Sequence, residues 1–66
     1  MTEAARVETA REAFADITGS LEYATLIAAD GQASPNLSVA RQSCDRLIAP
    51  LETNLARLRQ LRRRLG

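Results

Sequence analysis

The sequence predicts an all-α fold, an antiparallel two-helix hairpin, on three observations. Apolar residues recur at alternating steps of three and four through both halves of the chain. One cluster of turn-forming residues separates the two stripes. No segment alternates with period two, and β-branched residues are sparse, so strands find no support.

The first stripe comprises Val7, Ala10, Phe14, Ile17, Leu21, Ala24 and Ala28, spaced as heptad a and d positions. Thr2 before Glu3 supplies an N-cap. The turn is Asp30-Gly31-Gln32-Ala33-Ser34-Pro35. In it Gly31 suits the left-handed C′ position, and Ser34 followed by Pro35 suits N-cap and N1. The second stripe comprises Leu37, Ala40, Cys44, Leu47, Leu51, Asn54, Leu58, Leu61 and Leu65, with Asn54 its one polar member. The helices are therefore expected over about 3–30 and 35–65, forming one domain of residues 1–66. Pro50 lies inside the second helix, where it lacks an N–H and crowds the carbonyl of Arg46. A kink there, or a break into two shorter helices, is expected.

A short turn between helices of matched length folds them back on each other. Folding about that turn pairs positions whose numbers add to about 65: Val7 with Leu58, Phe14 with Leu51, Leu21 with Cys44 and Ala28 with Leu37. Every a position then meets an a position. Asn54 at a core-type position fits a polar register-setter.

The core that results is thin. Of 66 residues, 12 are Ala, and Phe14 and Tyr23 are the only aromatics. Chains shorter than about 70–80 residues rarely draw more than ~3–5 kcal/mol from a single core. Yet apolar residues remain outside the seam. Tyr23, Leu26, Ile27, Ile48 and Leu55, with Val39, form a second apolar surface, and the first five are the candidate partner-binding residues. The expected occupant is a second copy of the chain or another protein, completing a bundle.

Charge divides between the arms. Residues 1–33 carry a net −4 and residues 34–66 a net +5, all nine basic residues being Arg. Arg57, Arg59, Arg62, Arg63 and Arg64 fall within eight residues without an acid among them, so they are candidate contacts for an anion or a nucleic acid. Positive charge at a helix C-terminus also favours the helix dipole, and no aromatic stands beside these arginines to stack bases. On the first helix Glu8, Glu12, Asp16 and Glu22 point outward on the heptad wheel, so few ion pairs across the seam are expected.

Catalysis finds no footing. Histidine, the commonest general base and metal ligand, is absent. Cys44 is the lone thiol, which precludes an internal disulfide, and its a position predicts a buried, inert side chain. No catalytic, cofactor or metal residue is assigned. Met1-Thr2-Glu3 has no basic or apolar leader character, and no apolar run approaches the ~20 residues of a membrane span. A cytoplasmic protein is expected.

Two resemblances follow. Leu21-Glu22-Tyr23-Ala24 and Leu37-Ser38-Val39-Ala40-Arg41-Gln42 resemble the short helical-hairpin co-chaperones of bacterial type III secretion systems. That likeness spans about a quarter of the chain and implies pairing with a helical-repeat chaperone. The length, short turn and heptads are also similar to Rop-type RNA-binding dimers, in which two hairpins make a four-helix bundle. Those bind RNA through the polar face of the first helix, which in this chain carries Glu8, Glu12 and Asp16. The residues and these resemblances together lead to a non-catalytic protein-interaction module. A homodimeric nucleic-acid regulator is the alternative.

Overall fold

The structure, a computed structural model, describes residues 2–66. Met1, read above with Thr2 and Glu3, lies outside the described residues. Two helices account for nearly all of the rest: α1, Glu3–Gln32, and α2, Leu37–Leu65, packed as an antiparallel hairpin with no strand among the described residues.

The caps explain the helix limits. Thr2 is extended and its hydroxyl accepts from the Ala5 N–H at 3.1 Å, as expected of an N-cap. The turn differs from the expectation. Gly31 is helical rather than left-handed, and α1 runs on to Gln32, closing where the Ala33 N–H donates to the Asp30 carbonyl at 3.1 Å and the Ser34 N–H to the Gly31 carbonyl at 3.2 Å. The Ser34 hydroxyl donates to the Gly31 carbonyl at 2.7 Å, so Ser34 finishes α1 instead of opening α2. The N-cap of α2 is Asn36, whose Oδ1 accepts from the Val39 N–H at 3.0 Å. Both residues are good caps, and the one freed from α1 takes the task.

α2 is continuous through Pro50, so the break into two helices does not occur. Proline needs φ near −65°, which the helix supplies; what it withholds is one hydrogen bond to the carbonyl of Arg46.

Lengthening α1 by two residues and starting α2 two residues later moves the centre of the turn. Register moves in the same direction and further than the turn alone requires. Ser20 meets Asn54, Asp16 meets Arg57, and Gly31 approaches Ser43, so paired numbers add to about 73 rather than about 65, one heptad away. Phe14 is thereby level with Leu58, and Leu21 with Leu51.

The seam itself is also displaced, by one residue. Its buried members are Ile17, Ala24 and Ile27 on α1, facing Ser43, Asn54 and Leu61 on α2. Ala10, Ala13, Ser20, Gly31, Ala40, Leu47 and Pro50 are half-buried beside them. Ala10, Ile17, Ala24, Ala40, Leu47, Asn54 and Leu61 were expected there. Val7, Phe14, Leu21, Leu51, Leu58 and Leu65 were also expected there and are instead exposed. Small residues let the helix axes approach closely, which large side chains in the same positions would prevent. The molecule is accordingly a plate, 52 × 17 × 10 Å, in which no side chain among the described residues falls below 2% exposure.

Candidate interaction surface

Moving the seam toward small residues turns the large ones outward, and it does so on one side. At 3.6 residues per turn, Val7, Phe14, Leu21 and Ala28 lie about a quarter-turn from the α1 seam, in the direction of increasing residue angle. Leu37, Cys44, Leu51 and Leu58 bear the same relation to the α2 seam, with Ile48 and Leu55 just beyond them. Because the helices are antiparallel, equal rotation in that sense brings both rows to the same face of the plate. Phe14 is 51% exposed, Leu51 45% and Ile48 49%, all on this face. Among the described residues, nine of the eleven exposed large apolar side chains belong to it; Tyr23 and Leu26 do not.

The five residues expected to bind a partner are thus not one patch. Ile48 and Leu55 lie on the apolar face. Ile27 is 3% exposed and part of the seam, because the seam runs through Ala24, Ile27 and Gly31 rather than Ala24 and Ala28. Tyr23 and Leu26 lie on the opposite side of α1, exposed. The residues missed were the a-position set that the sequence assigned to the interior. Their sequence signal is a second row that shares Ile17 and Ala24 with the first and puts Ala13, Ser20 and Ile27 where the first has Phe14, Leu21 and Ala28.

Cys44 belongs with the exposed row. It was expected to be buried opposite Leu21, and the displaced seam leaves it open.

The buried polar groups are satisfied. Asn54, 4% exposed, donates from Nδ2 to the Ser20 hydroxyl oxygen at 3.1 Å across the seam. No fully enclosed side-chain polar atom among the described residues lacks a partner.

From the middle of the hairpin to its open end the charges arrange themselves more closely than expected. Arg57 forms an ion pair with Asp16 at 3.2 Å, so Asp16 reaches across the seam's edge and one of the five candidate arginines is neutralised. Seam packing rotates α1 enough to bring that carboxylate round. Both groups are largely exposed, and the pair contributes little to stability. Arg62 donates to the Gly66 carbonyl at the end of its own helix. Arg59, Arg63 and Arg64 have no carboxylate partner among the described residues. Arg6 on α1 donates from Nη2 to the carbonyls of Arg64 and Leu65, at 3.0 and 2.8 Å. Those carbonyls have no helical N–H to accept from, so Arg6 caps α2 from the neighbouring helix. On the outer face of α1, Glu8 and Arg11 pair at 3.9 Å, both well exposed.

Among the described residues no three His, Cys, Asp or Glu side chains gather into a metal-holding group, and no helix is long and apolar enough to cross a membrane.

Fold and surface define a class: a small all-α helical hairpin with one face apolar along its length. No protein-family model matches the chain, and neither a curated protein nor a solved structure shows significant similarity to it.

Proposed function

We propose that this chain is a non-catalytic protein-association module, an adaptor, co-chaperone or small assembly subunit, that works by burying its apolar face against another helical surface. The observation that carries this reading is the one-sided row of Val7, Phe14, Leu21, Ile48, Leu51, Leu55 and Leu58, exposed beside a seam in which Ala24, Ser43 and Asn54 stand among Ile17, Ile27 and Leu61. Full burial of a Leu or Phe side chain stabilises by ~1.5–3 kcal/mol. A chain of this size that leaves so many of them wet gains most of its stability only when they are covered.

Phe14→Glu combined with Leu51→Glu tests the reading, since it alters the face while sparing the seam. Solution mass by light scattering and binding of an apolar fluorescent dye are the readouts. The unaltered chain should self-associate or bind dye, and the double variant should do neither. A stable, cooperatively melting monomer that binds no dye would overturn the reading.

One observation favours a second reading, a nucleic-acid-binding regulator: Arg59, Arg63 and Arg64 lack carboxylate partners at the end of α2. Arg59→Ala, Arg63→Ala and Arg64→Ala together should then weaken RNA or DNA binding and flatten its salt dependence. Absent or unchanged binding eliminates it.

A further inference from the structure

On the association reading, the apolar face has one occupant that its size, volume and charge select. We propose that it is a second copy of this chain, packed face to face about a two-fold axis perpendicular to the long axis of the plate, so that each turn lies against the other copy's open end.

Three observations lead there. The first is size. The plate presents a face of 52 × 17 Å, and covering most of it hides roughly 800 Å² per copy, the area of a standard specific interface. The apolar row extends from Val7 to Ala28 on α1 and from Leu37 to Leu65 on α2, so it serves both sides of a two-fold contact at once.

The second is volume. Along the face the layers run Val7 with Leu65, Phe14 with Leu58, Leu21 with Leu51, and Ala28 with Cys44, from open end to turn. An axis midway along α1, between Phe14 and Leu21, sets the Phe14 layer on the partner's Leu21 layer. It also sets the small Ala28 and Cys44 against the larger Val7 and Leu65. A side-by-side arrangement with the turns together would stack each layer on itself. Ala28 and Cys44 would then leave a void, while Phe14 and Leu58 crowded their own counterparts.

The third is charge. Residues 3–16 with 57–66 carry seven Arg against Glu3, Glu8, Glu12 and Asp16, a net side-chain charge of +3. Residues 17–56 carry Arg41 and Arg46 against Glu22, Asp30, Asp45 and Glu52, a net −2. Antiparallel packing places each basic end beside an acidic one, whereas the parallel arrangement brings the two basic ends together.

The test uses the full chain. Light scattering gives the mass, expected at twice the 7.2 kDa of one copy. A nitroxide at position 38, in the variant Ser38→Cys with Cys44→Ser, gives the orientation by electron double resonance. Ser38 lies about 17 residues from the axis level, so the labels should be roughly 50 Å apart at 1.5 Å per residue. In the parallel dimer they would be within about 25 Å. As a third arm, Arg62→Glu, Arg63→Glu and Arg64→Glu together should weaken the dimer about tenfold at low salt and much less at 1 M.

A short label distance, an oligomer larger than two, or a charge reversal with no salt-dependent effect would overturn the proposal. A monomer that binds apolar dye overturns the second copy as occupant and leaves the association reading standing. A monomer that binds none overturns both.

Discussion

The Ser20–Asn54 hydrogen bond can be removed by deleting one partner or both, and the two differ in cost. Removing the acceptor with Ser20→Ala leaves the Asn54 amide, 4% exposed, without its partner inside the seam. An unsatisfied buried donor costs about 1–3 kcal/mol, partly offset by the ~0.5 kcal/mol by which alanine exceeds serine as a helix former. The expected loss is therefore about 0.5–2.5 kcal/mol. For a domain of this size that lowers the melting temperature by several degrees, at about 4–8 °C per kcal/mol. Removing both polar groups, with Ser20→Ala and Asn54→Leu, makes the site wholly apolar at similar volume. This double variant should recover the loss and can exceed the parent. Circular dichroism at 222 nm during thermal and urea unfolding, with chain concentration held fixed, reads all three. The recovery should come at the expense of register. Only in the observed alignment do Ser20 and Asn54 meet; the alignment one heptad away, with Phe14 level with Leu51, separates them. With the polar pair gone, the two alignments differ less in energy, and nitroxide pairs across the hairpin should report a second distance. A Ser20→Ala variant as stable as its parent would refute the reasoning, because Asn54 could not then depend on that bond.

Three further perturbations follow from local geometry. Gly19 lies inside α1 with nothing within 4 Å of where a Cβ would stand, so Gly19→Ala should stabilise by about 0.5–1 kcal/mol, measurable by urea unfolding. Pro50→Ala restores the missing hydrogen bond to the Arg46 carbonyl in a helix that is already continuous. A gain of about 1 kcal/mol or more is expected, with higher helical signal in the thermal melt. Arg6→Ala removes the guanidinium that caps Arg64 and Leu65; about 0.5–1.5 kcal/mol should be lost, and hydrogen exchange should quicken at both chain ends.

Much of the fold was legible because periodicity is a property of composition along the chain. Two helices, their approximate limits and the Thr2 cap could be read directly. The register and seam could not, and the reasons are local. Ser34-Pro35 matches the helix-start pattern better than Asn36 does, but the Ser34 hydroxyl is taken by the Gly31 carbonyl. That bond goes with a later turn, which moves the alignment part of the way to the one observed. The seam failed for a different reason. α1 carries two heptad rows side by side, and ranking by hydrophobicity selects the row with Phe14 and Leu21 over the row with Ala13 and Ser20. Close approach of two helices selects the smaller row instead, with Gly31 and Ser43 near contact at its end. The candidate surface inherited that error. Ile48 and Leu55 were found because they lay outside either row, whereas Phe14, Leu51 and Leu58 had been assigned to the interior. Asp16 was missed as a partner of Arg57 since a one-residue rotation of α1 separates outward from edge-facing.

The thin, plate-like form has a consequence for how the chain exchanges with water. With a smallest extent of 10 Å between Cα positions, solvent is never more than one side chain from any amide. A free hairpin therefore has no slowly exchanging nucleus of the kind that marks a globular interior. Its amides should exchange through fraying and brief helix opening alone, with a shallow gradient from the middle of each helix to its ends. Covering one face would convert that gradient into a periodic pattern, slow at every third or fourth amide along both helices. The phase of that pattern would identify the covered side without any structure of the complex.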